Sequence, residues 1–493
     1  MKKLFITFIA AFALLSCGSN RNADEENSNL HFRNGKFRIA QFTDIHWESG
    51  DSANAANRQM VIEAVEKEKP DLCILTGDIV TGGDPTEGWK EIVDMMEATK
   101  TPYRIIMGNH DPEFMAPDSI YDLIEKSGKN HINVFSNSDI HGSGNGVLTI
   151  LGENTDSVKA AIYCFDSGNR YKEESLSYYD NIHFNQLAWY VSKSENLRQR
   201  NGGTPVPSLA YFHICLPEYP LMAEDTTKIY GNYGEHCCPS DINSGLFSTA
   251  LERGDIMGMF VGHDHSSDFI GLWKGLALGY GRQSGVMRED PTTPRGCRIV
   301  ELTEGKRSFE TWVWTPRGEE GRFYYPSGIN SDMEKEEMFM KPQSISDTEV
   351  KSGIAYKYYE GYKGLKSTDA MISKGDLKEQ GVMDSITIVH AKAEDHFGYV
   401  FDGLFKAEKK EVYIFSLISD DGAKLFIDDK CIIDNDGSHS IVPVEAYIAL
   451  DKGYHKFRLH YFEDYMGQQL NLFLTTKDMR KKPLPHNLLY VKK

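Results

Sequence analysis

The sequence predicts an α/β domain followed by an all-β domain. Three observations carry that expectation. The chain has 493 residues, too many for one ordinary domain. From Phe37 to about Trp314, short apolar runs alternate with amphipathic stretches, the signature of mixed α/β structure. From Gly353 onward the pattern becomes strand-like alternation rich in aromatic residues, as in Val412-Tyr413-Ile414-Phe415-Ser416 and Lys456-Phe457-Arg458-Leu459-His460-Tyr461-Phe462. Turn residues recur between these runs, as in a β-sandwich or barrel.

A hydrophobic content of 40% with 26% charged residues describes a globular protein able to bury a large core. The formal charge of −18 disfavours nucleic acid as a partner, because no general basic surface is available to neutralise phosphates. A small phosphorylated substrate stays compatible, since bound cations reverse the field locally.

The first element is an export signal. Lys2 and Lys3 precede the apolar stretch Leu4 to Leu15, which is too short to span a membrane comfortably. Leu14-Leu15-Ser16-Cys17 resembles a bacterial lipobox, which implies cleavage after residue 16 and lipidation of Cys17. The plainer alternative is an ordinary cleaved signal with an incidental cysteine. The expected location is therefore an exported lipoprotein, outer-membrane associated, periplasmic or surface-exposed, touching the membrane through its anchor only. Residues 17–34, with the acidic cluster Asp24-Glu25-Glu26, read as a flexible tether. Seven further cysteines follow. Cys73, Cys164 and Cys215 lie in apolar runs as buried thiols, Cys237-Cys238 form an adjacent pair, and Cys297 and Cys431 complete the set.

Within residues 35–325 the apolar runs matter because of what ends them. Phe37 to Phe42 is followed by Thr43-Asp44-Ile45-His46. Leu72 to Leu75 leads to Thr76-Gly77-Asp78, and Tyr103 to Met107 leads to Gly108-Asn109-His110-Asp111. Leu209 to Phe212 runs into His213, and Met257 to Val261 into Gly262-His263-Asp264-His265. Each strand thus delivers a metal-capable side chain at its carboxyl end, the edge where open α/β sheets bind ligands. Asp44 and His46, like His263 and His265, are two residues apart and would project together from extended backbone. A mixed carboxylate and imidazole set suits a transition-metal pair rather than a lone hard cation. Singly, each residue also has a bland reading. Asp44 or Asp78 would serve as a helix N-cap, Gly108-Asn109 as a turn, and His213 as a partly buried histidine.

Taken together, DxH, GD, GNHD, the single His213 and GHDH resemble the calcineurin-like metallophosphoesterase superfamily in order and spacing. The resemblance covers roughly residues 37–314. It implies a four-layer α/β/β/α sandwich and two metals, manganese, zinc or iron. Asp44, His46 and His265 would hold the first metal, Asp78 would bridge, and Asn109, His213 and His263 would complete the second site. His110 would act as proton donor or charge stabiliser with Asp111 orienting it. The implied reaction is hydrolysis of a phosphomonoester or phosphodiester outside the cytoplasm by a metal-bridging hydroxide, the two ions clamping the phosphate. The tyrosine that purple acid phosphatases carry three residues after the bridging aspartate is Thr81 here, so a tyrosinate-bound ferric ion is not expected. Tyr163 to Gly168, Gly234-Glu235 and Gly279 to Arg282 resemble a bacterial and fungal branch. There Arg282 would clamp a phosphate oxygen or sit in a surface turn, and Asp268 would orient a ligand histidine or be solvated.

Residues 326–350 are polar, contain Glu334-Lys335-Glu336-Glu337, and read as a linker with one short helix at most. In residues 351–493, several stretches resemble the PA14 domain, among them Ala355 to Gly361, Ser419 to Gly422 and Lys452 to His455. Some members of that family bind glycans through calcium on adjacent aspartates. Asp420-Asp421 matches that position, while Gly422 and the acidic loop Asp434-Asn435-Asp436 would equally serve turns. A different class of function is a glycan-binding surface lipoprotein whose phosphoesterase fold is a scaffold. That reading expects damaged ligands, and none of the seven positions is damaged.

Overall fold

A computed structural model describes residues 26–132, 139–285 and 293–493. The signal segment, Cys17 and the first part of the tether lie outside the described residues.

The N-terminal domain is built on two sheets. One has six strands, in the order Gly318–Tyr325, Phe309–Thr315, Cys297–Thr303, Lys36–Phe42, Leu72–Thr76 and Tyr103–Ile106. The other has eight, running from Glu26–His31 through Gly146–Gly152, Thr155–Cys164, Ser208–Tyr211 and Ile256–Val261 to Leu276–Tyr280, Ile270–Trp273 and Ile229–Tyr230. Side chains alternate across each strand, so every central strand feeds two cores. Phe37, Ile39, Leu72 and Ile74 meet Leu148, Ile162, Leu209, Met257 and Phe260 between the sheets. Ala40, Phe42, Cys73 and Leu75 point the other way, onto the helices Asn54–Glu68, Pro85–Thr99 and Pro117–Ser127. Ala210, Phe212, Met259 and Val261 likewise face Phe184–Arg200, Glu218–Ala223 and Leu246–Arg253. The expected helix–sheet–sheet–helix layering follows from these alternations. The helix Pro85–Thr99 starts where the sequence signals it. Asp84 accepts hydrogen bonds from the backbone of Thr86 and Glu87, with proline in the first turn, a cap worth about 1 kcal/mol.

The tether is shorter than its polarity suggests. Glu26–His31 pairs in parallel with Gly146–Gly152, placing Leu30 opposite Ile150. Leu30 and Phe32, two residues apart, both enter the core between the sheets, and this burial recruits a strand from a segment without obvious periodicity.

The C-terminal domain is all β. A sheet whose central strands are Phe397–Ala407, Gly453–Glu463 and Ala423–Ile427 faces a four-stranded sheet of Val442–Leu450, Glu411–Asp420, Gln469–Thr476 and Met479–Pro483. Phe401, Phe405, Leu425 and Leu459 interdigitate with Phe415, Leu417, Leu472 and Leu474. The segment expected as a linker is packed rather than loose. Ile329 is fully buried with Tyr324, Val412 and Ala449, and Met340 exchanges backbone hydrogen bonds with Ala449 and Asp451. Its helical content is two single 3-10 turns, Glu336–Met338 and Asp347–Glu349. No disulfide joins the described cysteines.

Candidate metal centre

The predicted ligands converge at the carboxyl ends of both sheets. The loops after Lys36–Phe42, Leu72–Thr76 and Tyr103–Ile106 bring Asp44, His46, Asp78 and Asn109 from one sheet. Those after Ser208–Tyr211 and Ile256–Val261 bring His213, His263 and His265 from the other. Backbone bonds from Asp44 to Gly77, His46 to Asp78 and Trp47 to Ile79 zip the first two loops together. At Gly262 the chain runs so close to the first loop that a Cβ would lie 1.9 Å from the Thr43 hydroxyl, so only glycine fits there.

Four of the ligand residues are conformationally strained. Asp44, His46, Asp78 and His263 have φ of 52°, 49°, 50° and 81°, a region costing on the order of 1–3 kcal/mol for each such residue.

Two groups of donors result. Asp44, His46, Asp78 and His265 form one, and Asp78, His213 and His263 the other, so Asp78 belongs to both. His46 Nε2 lies 3.0 Å from His265 Nε2, and His265 Nε2 lies 3.5 Å from Asp44 Oδ1. His213 Nε2 is 3.3 Å from Asp78 Oδ2 and 3.1 Å from Asn109 Oδ1. Atoms bound about 2.0–2.1 Å from one cation stand roughly 3.0–3.4 Å apart, so the donor set fits ions of transition-metal size. His213 makes the test sharper. Its Nδ1–H donates to the Thr76 carbonyl at 2.7 Å, which leaves the Nε2 lone pair facing two oxygens that can only accept. That arrangement requires a cation, either a proton or a metal.

The electrostatics agree. Burial opposes charge on Asp44, yet His265 and His213 hold its carboxyl below the usual range. Burial likewise opposes charge on Asp78, and His213 overrides it downward. His213 itself is raised, burial being outweighed by Asp78. Burial pushes His46 down to about 4 and His263 down to about 3, keeping both imidazoles neutral, the form that ligates metal.

Around this centre the structure revises several expectations. Asp111 does not orient His110. Its Oδ1 accepts the Ile79 and Val80 amides and its Oδ2 the Gly108 amide, so it pins the ligand loops instead. The partner of His110 is Glu113, with Nδ1 to Oε1 at 3.0 Å; a carboxylate three residues along a 3-10 turn was the available signal. Arg282 does not face substrate. It is buried, with Nε donating to Asp268, one terminal nitrogen to the Pro294 carbonyl and the other to Glu320. Asp268 is occupied by that guanidinium and by Asn232, not by a ligand histidine. Sequence reading missed Tyr179, whose ring meets His263 edge-on at 4.5 Å; within the Tyr163 to Gly168 stretch it had marked, Ser167 accepts the amide of Ile214 beside His213.

In the C-terminal domain Asp420, Asp421 and Glu463 come together. Asp421 accepts the amides of His439 and Asp464. Glu463 is pushed up to about 8 by burial, with Asp421 and Asp420 adding repulsion.

Comparison with protein-family models agrees with the two-domain organisation. The family model described as calcineurin-like phosphoesterase matches residues 37–267, and that of the PA14 domain matches residues 350–485. The chain is 30% identical to "Probable inactive purple acid phosphatase 29" of Arabidopsis thaliana over 348 residues, 63% of this chain and 87% of that protein. It is 27% identical to "Phosphatase DCR2" of Saccharomyces cerevisiae over 315 residues, 56% of this chain and 53% of that protein. A solved dimetal phosphatase from Danio rerio aligns with a TM-score of 0.42 at 12% identity, covering 58% of this chain and 98% of that one.

Proposed function

Because the chain belongs to the calcineurin-like phosphoesterase family, we propose that it is an active phosphoesterase that hydrolyses a phosphomonoester or phosphodiester. The observation that carries this reading is the intact donor set, in which two groups share Asp78 at spacings that fit cations. Some relatives are named inactive; loss of activity through the metals calls for a missing ligand, and here Asp44, His46, Asp78, Asn109, His213, His263 and His265 are all in place.

Two transition-metal ions, manganese, zinc or iron, supply Lewis acidity and lower the pKa of water when bound. Asp44, His46 and His265 would hold one and Asn109, His213 and His263 the other, with Asp78 belonging to both groups. His213 is oriented for this by Thr76. His110 stands at the solvent edge of the centre, its side chain 42% exposed. Its Nδ1–H donates to Glu113, which leaves Nε2 for the leaving-group oxygen or a phosphoryl oxygen. Asp111 takes no part in proton transfer and keeps the loops in register.

The protein acts outside the cytoplasm as a lipoprotein anchored through Cys17, a reading supported by the Lys2 to Cys17 pattern. The C-terminal domain contributes a glycan site with calcium on Asp420 and Asp421, supported by the converging Glu463 carboxyl, whose charging a cation would favour.

The test pairs metal analysis of the purified protein with hydrolysis of p-nitrophenyl phosphate and bis-p-nitrophenyl phosphate. Two ions per chain, with turnover lost in Asp78→Ala, is the expected result. No turnover after reconstitution with manganese, zinc or iron would overturn it.

A further inference from the structure

His213 and His263 belong to the same donor group, yet they are held in different ways. His213 is tied through Nδ1 to the Thr76 carbonyl. The backbone of His263 is fixed, at φ 81° with its amide donating to the Asp44 carboxylate. Its imidazole has no such tie: no group among the described residues hydrogen-bonds to either ring nitrogen. What the imidazole meets instead is two other rings. That of Tyr179 lies 4.5 Å away at 89°, and that of His213 lies 5.2 Å away at 72°.

Tyr179 is itself firmly placed. Its carbonyl lies 2.7 Å from Ser177 Oγ and 2.9 Å from Ser240 Oγ, and both serines are buried. With each hydroxyl donating to that carbonyl, each remains able to accept an amide, Ser177 from Asp241 and Ser240 from Ile242. Tyr179 also pairs with Arg170 in an antiparallel bridge, flanked by bonds from the Tyr171 amide to the Tyr178 carbonyl and from the Asp180 amide to that of Asn169. The carboxylate of the next residue, Asp180, is bonded by His183 at 2.8 Å and His141 at 3.2 Å. The Tyr178 ring stands against that of Tyr179 at 4.8 Å and 87°, and the Arg170 guanidinium covers Tyr178 at 4.6 Å. The Tyr179 ring is therefore carried on a braced hairpin and not on a free loop.

We propose that Tyr179 is a positioning residue for the second metal site, its ring holding the imidazole of His263 at the angle that ligation needs. The proposal rests on the reading above in one respect, that the second donor group holds an ion. Ligating histidines are ordinarily oriented by a hydrogen bond from the nitrogen that faces away from the metal. A perpendicular ring contact, favoured by the aromatic quadrupole, is the packing substitute. It restricts rotation of the imidazole and needs the tyrosine ring but not its hydroxyl. The competing account is that Tyr179 only fills the wall beside the centre; it predicts that an apolar side chain such as leucine serves as well.

The experiment titrates the metal-free full chain with zinc alone, by calorimetry, in wild type, Tyr179→Phe and Tyr179→Leu. Wild type and Tyr179→Phe are expected to bind two ions with the same pair of affinities. Tyr179→Leu should bind one ion as wild type does and the other at least about tenfold more weakly, with an unchanged urea midpoint. Because the readout is affinity, a protein that holds both ions without hydrolysing p-nitrophenyl phosphate would fail the phosphoesterase reading alone. Unchanged affinities in Tyr179→Leu would overturn the proposal, as would equal weakening of both ions or the same weakening in Tyr179→Phe. A wild type that takes up no zinc would overturn it together with the reading on which it rests.

Discussion

His110 is held by Glu113, not by the aspartate that follows it: Nδ1 and Oε1 are 3.0 Å apart. The bond sets the tautomer and turns Nε2 outward. Glu113→Gln keeps the size of the partner and an acceptor oxygen while removing the negative charge beside the ring. Turnover of p-nitrophenyl phosphate is expected to fall on the order of tenfold, against about a hundredfold for His110→Ala. Metal content should be unchanged in both. A Glu113→Gln enzyme with wild-type kcat would remove Glu113 from the mechanism.

Asp111 accepts three backbone amides from the loops that carry Asp78 and Asn109. In Asp111→Asn the new NH2 group confronts at least one of those N–H groups in a buried site. The expected destabilisation is about 1–3 kcal/mol, read as a lower urea midpoint, together with weaker metal retention. Loss of activity with full stability and full metal would instead assign Asp111 a direct chemical role.

The convergence of the candidate metal donors was legible in the sequence because chemistry and fold leave the same trace there. An apolar run announces a strand, and a donor at its carboxyl end announces a site. The two packed sheets followed from the family resemblance and not from the runs themselves, since Phe37 to Phe42 carries Arg38 on one face and Gln41 on the other. What was hidden depends on contacts between distant segments. Asp268 follows the GHDH stretch closely enough to suggest a histidine partner, yet the fold delivers Arg282 and Asn232 to it. His141 and His183 are 42 positions apart in the numbering, with no motif to join them, yet their rings stack with centroids 3.6 Å apart. Glu26–His31 is a strand only because the core between the sheets accepts Leu30 and Phe32.

Arg282 tests the same distinction between a site residue and a brace. Its guanidinium neutralises the buried Asp268 and reaches Glu320 and the Pro294 carbonyl. Arg282→Met removes the guanidinium bonded to the Asp268 carboxylate and leaves the charge of Arg298 nearby; breaking a buried pair in this way costs about 3–5 kcal/mol. The urea midpoint should drop accordingly while KM for the nitrophenyl esters stays within twofold (about 0.4 kcal/mol). An unchanged midpoint with a raised KM would restore the phosphate-clamp role.

The acid limb of stability has an identifiable contributor away from the metals. His131 is buried against Tyr103, and neither of its ring nitrogens finds a hydrogen-bond partner among the described residues. Burial, with the Arg104 charge nearby, pushes its pKa from 6.5 down to about 3. The unfolded chain therefore binds a proton in the window between these values that the folded chain refuses. Linkage then gives the sign. The contribution is complete above about pH 6.5 and is lost as pH falls toward 3, with a slope of at most about 1.4 kcal/mol per pH unit. His131→Phe keeps a ring against Tyr103 and removes the titration. Between pH 7 and pH 4.5 the variant should therefore lose about 1–3 kcal/mol less stability than wild type. Urea unfolding at the two pH values measures the difference. Parallel losses would mean that the imidazole is protonated in the folded state and pays no such penalty.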